Sequence, residues 1–228
     1  IHLRDFTPSR TYFKEIIFGG TPSLSRQGLG SIATLVLNVA AGAYGDAAIA
    51  GMSIVTRISF FTYAVVIGLG QGFQPLCGFC YGAKLYGRVK EAFFFCIKCG
   101  TVFLAVCAVI GFLFSESIIE LFRDDTSVVA VGSVALKWQV ISFPLVATIV
   151  LTNMLMQTIR KPIRANIVAA ARSGLFFIPL IFILPHFFGL LGVEMCQAWA
   201  DICSFLVAVP IAWSAFRDMS RTCPKVTQ

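Results

Sequence analysis

Six stretches of this chain are apolar and long enough to cross a membrane. That feature constrains the fold more than any other. A hydrocarbon core of about 30 Å needs roughly 20 helical residues. The stretches cover approximately residues 21–44, 47–76, 93–114, 128–159, 163–188 and 195–216. Pro22, Pro75, Pro144, Pro179 and Pro210 lie inside them or at their ends. Membrane helices tolerate such residues because neighbouring helices re-satisfy the freed backbone groups. No stretch alternates with the period of two that barrel strands require. Composition agrees: 57% of the residues are hydrophobic and 13% charged, against about a quarter charged in a soluble domain. The expected fold is an all-α integral membrane bundle of six transmembrane helices, with membrane lipid as part of its solvent.

Charge then orients the bundle. Lys84, Arg88 and Lys90 fall between the second and third stretches, Arg160, Lys161 and Arg164 between the fourth and fifth, and Arg217, Arg221 and Lys225 after the sixth. The opposite loops carry Asp46, Glu116, Glu120, Asp124, Asp125 and Glu194 against Arg123. Cations collect on the cytoplasmic side, so both ends of this segment are expected in the cytoplasm of a cell (plasma or inner) membrane protein. Lys98 and Arg172 are expected to snorkel toward that face. The formal net charge of +7 therefore reads as topology, and no nucleic-acid partner is expected.

Residues 1–20 read as an amphipathic interfacial helix and linker. Thr7 and Pro8 supply a start, Phe13, Ile16 and Ile17 an apolar face, and Gly19-Gly20 a stop. Residues 21–217 form the six-helix lobe and 218–228 a cytoplasmic tail. A signal peptide is not expected, since the start is polar and lacks a cleavage site. The opening Ile1 is what a segment beginning inside a longer protein would show.

Cys77, Cys80, Cys96 and Cys99 form two Cys-x-x-Cys pairs fifteen residues apart, a spacing seen in four-cysteine zinc sites. Here the pairs flank a hairpin between two membrane helices. A buried thiol behaves as a small apolar group, and Cys107, Cys196, Cys203 and Cys223 show cysteine used freely elsewhere. No metal and no cofactor are expected. No disulfide is expected on a reducing cytoplasmic side either.

The stretch "GLGQGFQPLCGFCYGAKLYGRVKEA" resembles a signature of the multidrug and toxic compound extrusion (MATE) transporters. The matching residues are Gly68, Gly70, Gly72, Gln74 and Pro75, then Tyr81, Gly82, Ala83 and Lys84, then Arg88 and Val89. Upstream "TPSLSRQGLGSIATLVLN" and downstream "LTNMLMQTIRKPIRA" and "GLLGVEMCQAWADICS" extend the likeness over nearly the whole chain. The resemblance implies one lobe of a twelve-helix, two-lobe transporter, here the C-terminal lobe, with the N-terminal six-helix lobe as its missing partner. It also implies export of small organic, often cationic compounds by alternating access in exchange for H⁺ or Na⁺. Family acids on the first and fourth helices of this lobe are absent, so the principal coupling acid is expected in the other lobe.

Polar groups at membrane depth are functional candidates, because each costs free energy unless it faces protein or water. Arg57 lies eleven residues beyond Asp46, about 16 Å along a helix. It is a cavity candidate, as are Gln27, Asn38, Asn153 and Gln157; for all of them the alternative is hydrogen bonding between helices. Asp201 is the one carboxylate well inside a span, an auxiliary ion-coupling candidate. Gly68, Gly70, Gly72 and Pro75 are read as hinge and packing residues. A phosphate loop is excluded, since Phe73 replaces the third glycine and no strand precedes it. His2 and His186 are peripheral and no catalytic constellation is visible, so no enzyme is expected. Two alternatives stand: a lipid-linked saccharide flippase of the same superfold, which would want a cationic cavity, and a non-transporting membrane scaffold.

Overall fold

A computed structural model describes residues 10–222. Every regular element among them is helical: α1 (Arg10–Gly42), α2 (Asp46–Gly82), α3 (Tyr86–Leu113), α4 (Ser115–Phe122), α5 (Thr126–Thr158), α6 (Pro162–Ala170), a π-helical turn (Ala171–Leu175), α7 (Phe177–Phe188) and α8 (Leu190–Thr222). Five helical stretches are long and apolar enough to cross a membrane: Asp46–Gly82, Tyr86–Leu113, Thr126–Thr158, Pro162–Phe188 and Leu190–Ser220. The sixth expected span is a shorter apolar run, Gln27–Gly42, within α1. This is a multi-pass helical membrane fold.

Helix α5 is the axis of the lobe. It packs against α2, α3, α4, α6 and α8, and its apolar residues run all round rather than along one stripe, as an enclosed helix requires. The backbones of α2 and α5 lie close at Gly51 and Gly132, where a Cβ on Gly51 would lie 3.1 Å from the Gly132 nitrogen. Only glycine lets α2 and α5 cross there. By contrast, α3 shows lipid a row that includes Phe95, Val102, Val106 and Val109.

The turns at one end carry the cations. Helix α2 ends with Lys84 in the left-handed region (φ 59°), and Leu85 N–H returns to the Cys80 carbonyl at 2.8 Å. Helix α5 ends the same way: Arg160 has φ 55°, and Lys161 N–H reaches the Met156 carbonyl at 2.9 Å. Each closure satisfies carbonyls that the helix leaves open, the Schellman arrangement. The expected hairpin between the second and third spans thus shrinks to residues 83–85.

Two boundaries differ from the sequence reading. Helix α1 runs through Gly19-Gly20 without stopping. Glycines weaken a helix by about 1 kcal/mol each, which does not by itself end one, whereas α2 and α5 end in left-handed closures at Lys84 and Arg160. Phe13 and Ile17 are exposed, while Thr7 and Pro8 lie outside the described residues. Helix α8 continues to Thr222, so the first residues of the expected tail are helical; the rest of it lies outside the described residues.

Candidate functional site

The polar centre of the lobe starts from a proline. Pro179 has no N–H to give the Leu175 carbonyl, and its ring crowds that carbonyl, so the ladder loses one bond at this point. The chain takes one π-turn here, with Phe176 N–H bonded to the Ala171 carbonyl at 3.1 Å. Pro179 then sits in the first turn of α7, where a missing donor does little harm. Such π-turns often mark functional sites. This one carries Arg172.

Arg172 turns inward, not toward the membrane surface. Its Nε donates to Asp201 Oδ1 on α8 at 2.7 Å, and Gln197 Nε2 reaches the same oxygen at 3.2 Å. Asp201 Oδ2 accepts from Ser142 Oγ at 3.1 Å and from Gln139 Nε2 at 3.3 Å, both on α5. Gln139 Nε2 also lies 2.9 Å from Tyr63 Oη on α2, and the guanidinium stands 4.7 Å from the centre of the Tyr63 ring. Asp201 has no exposed surface, whereas the Arg172 side chain keeps 22%. The two charges balance each other, both carboxylate oxygens are hydrogen-bonded, and only Arg172 of the pair keeps some exposed surface. A lone buried carboxylate would be very costly; pairing with Arg172 plus three further hydrogen bonds is what makes it tolerable.

Two small cavities border this network. The first, about 170 Å³, is lined by Met52, Thr56, Ser59, Tyr63, Gln139 and Arg172 among others. The second, about 200 Å³, includes Gln27, Phe60, Asn153, Ser173 and again Tyr63 and Arg172. Both are smaller than the roughly 300–1,000 Å³ of a drug-sized pocket. They fit half a site.

The MatE family model matches residues 22–183. The chain belongs to the MatE family. Among its curated relatives is the multidrug export protein MepA of Staphylococcus haemolyticus, 30% identical over 200 residues, which cover 87% of this chain and 44% of that protein. Solved structures with the same fold include an outward-facing multidrug resistance MATE transporter of the MOP superfamily, with TM-score 0.88, 22% identity, and cover of 98% of this chain and 50% of that one. A Vibrio cholerae MATE transporter, VcmN, in its bent form gives TM-score 0.87 at 18% identity, covering 97% and 50%. The chain spans about half the length of the relatives it matches, so it is half of a MatE transporter fold.

Within this MatE lobe the expected site residues separate. Gln27 and Asn153 line the second cavity. Asn153 and Gln157 also serve as glue: Asn153 Nδ2 donates to the Ala165 carbonyl at 2.7 Å, Gln157 Nε2 to Asn153 Oδ1 at 2.6 Å, and Ser23 Oγ reaches Gln157 Oε1 at 3.5 Å. That chain ties α1, α5 and α6 together. Asn38 is half-buried and borders neither cavity. Arg57 is exposed, borders neither cavity, and forms no ion pair with a described residue. Asp201 is central, though held by Arg172. Gly70 packs against Met154. Gly68 and Gly72, by contrast, face open space, so that pair brings no helix of this lobe closer. Pro75 lies within α2, which continues past it to Gly82.

The partners of Asp201, namely Arg172, Gln139, Ser142 and Gln197, and Tyr63 beside them, escaped the sequence reading. Arg172 was expected to snorkel; the clue was a single cation and a single acid on adjacent spans, which membranes favour pairing. Gln139 and Tyr63 gave no local signal. Glu194, assigned to the outer interface, is 4% exposed with Oε2 unpartnered among the described residues. The cysteines also divide: Cys77, Cys80 and Cys96 sit in an apolar cluster with Phe73 and Phe93, while Cys99 is exposed.

Proposed function

We propose that the complete protein exports small organic compounds across the cell membrane by alternating access, in exchange for H⁺ or Na⁺, and that this chain is its C-terminal lobe. The reading takes both ends of the segment as cytoplasmic, as the cations suggest. The observation that carries it is the pair of undersized cavities on either side of Arg172 and Tyr63. One wall of a path is present, and a facing lobe would complete it. Phe60, which is exposed and borders both cavities, offers a ring face to an organic cation, with amides at Gln27 and Asn153 to orient it. Asp201 has no free oxygen, so the principal coupling acid belongs to the other lobe.

The test is efflux of a fluorescent organic cation from pump-deficient cells making the complete protein. Lower accumulation than in control cells, abolished by collapsing the H⁺ and Na⁺ gradients, is expected. Unchanged accumulation at normal membrane abundance would end this reading. Arg172 lines both cavities, which favours one second reading: a flippase for lipid-linked saccharides, whose diphosphate would compete with Asp201 for the guanidinium. Transbilayer movement of such a lipid in vesicles containing the protein, without drug efflux, would select it.

A further inference from the structure

A third opening lies far from Arg172, at the cation-bearing end between α3 and α8. It is a groove of about 750 Å³, larger than either cavity of the site, lined by Lys90, Phe94, Trp213, Phe216, Arg217 and Ser220 among others. Its walls are layered. Lys90 and Phe94 are four residues apart on α3, and Trp213 and Arg217 four apart on α8, so on each helix a cation stands about 6 Å beyond an aromatic residue on the same face. Because the helices are antiparallel, both cations lie toward the end of the bundle and both aromatics lie deeper. Trp213 is 73% exposed, and the Phe94 and Phe216 rings stack with centroids 5.9 Å apart.

Neither Lys90 nor Arg217 forms an ion pair with a described residue. Glu91 follows Lys90 but points about 100° away around the helix. Asp218 is engaged by Lys161 and Arg164 on another side of α8. Two cations thus face one groove over an aromatic floor. This is the end that the charge distribution assigns to the cytoplasm, where the leaflet carries anionic lipid.

We propose that this groove binds one anionic phospholipid of the cytoplasmic leaflet. Its phosphate lies between Lys90 and Arg217, and an acyl chain runs along Phe94 and Trp213. A free phosphate would leave the aromatic floor uncovered, and a neutral lipid would leave the cations unmatched. The inference depends on the membrane orientation and not on the transported compound.

Native mass spectrometry of the complete transporter, titrated with phosphatidylglycerol or phosphatidylcholine, tests it. Phosphatidylglycerol should be retained in preference, and Lys90→Gln with Arg217→Gln should weaken it about thirtyfold, from two cations near a membrane surface. Arg88→Gln, an exposed cation of the same end that does not line the groove, should leave retention unchanged. In vesicles, brominated phosphatidylglycerol should quench tryptophan fluorescence, and Trp213→Phe should remove most of that quenching. Equal retention of the two lipids, an equal loss with Arg88→Gln, displacement by inorganic phosphate alone, or quenching untouched by Trp213→Phe would each overturn the proposal.

Discussion

The lobe joins the α6–π-turn segment to α8 twice, with the same chemistry at two depths. Deep in the bundle, Arg172 holds Asp201, a residue without exposed surface. At the cation-bearing end, Lys161 and Arg164 hold Asp218 at 2.6 and 3.1 Å, with side chains 30–44% exposed. The shallow cluster has the shorter contact and two cations. Distance therefore does not rank them; solvent does. Water screens the outer pairs and offers either partner a substitute if the other is lost. Nothing replaces Arg172 for Asp201 except the amides and hydroxyl already bound to it. The outer cluster fastens a turn, while the inner one ties α2, α5, the π-turn and α8 into one unit.

Removing Arg172 should break that comparison most severely. Arg172→Met leaves a buried carboxylate unpaired and should cost about 3–5 kcal/mol, read as a fall in thermal midpoint and membrane abundance of the complete protein. Adding Asp201→Asn should recover much of the loss, because the stranded charge goes with it; the cycle isolates the pair. A single variant as stable as wild type would mean that the pair is solvated after all.

Next in size is Asp201→Asn alone. It keeps a polar group for Gln139 and Ser142 but loses the charge facing Arg172. Coupled efflux should fall only in part, since the main coupling acid is placed in the other lobe. Complete loss at normal abundance would move that acid into this one.

Asp218→Asn should do less, and its effect should depend on salt. At low ionic strength a modest drop in thermal midpoint is expected. Near 1 M salt, where the screening length is about 3 Å, the difference from wild type should shrink. An effect equal to that at Asp201 and indifferent to salt would erase the distinction between depths.

The smallest effect is expected at the opposite end. Asp125 caps α5, accepting from Ser127 N–H at 3.0 Å and Ser127 Oγ at 2.5 Å. These hydrogen bonds, the side-chain one foremost, hold its carboxyl below the usual aspartate range. A lowered native value means the cap stabilises above the ordinary aspartate range and is lost as pH falls through the native one. Asp125→Asn should therefore lower the thermal midpoint slightly at neutral pH, with the gap closing in acid. A gap that widens in acid would reverse the assignment.

The candidate site was only half legible in the chain. Asp201, Gln27 and Asn153 stand out as polar residues in apolar runs, and each borders or builds the site. Gln139 lies near the middle of α5 with nothing local to single it out. It is the bridge between Tyr63 and Asp201, residues 62 or more positions away from it, and no local pattern announces that. Gly68 and Gly72 teach the opposite lesson. Their spacing suits helix packing, yet within the lobe only Gly70, between them, meets a neighbour. Spacing puts residues on one face of a helix but does not say what stands opposite.

Chain chemistry alone decides that this protein lies in a membrane, that it is helical, and which end gathers the cations. Those outcomes follow from transfer free energies and backbone satisfaction, which add up residue by residue along a segment. It also carries the family, because the Gly68–Val89 signature is contiguous. Tertiary structure decides the direction in which Arg172 points. The choice between snorkelling and pairing hangs on whether a carboxylate lies within reach, and Asp201 comes within reach where the π-turn is laid against α8.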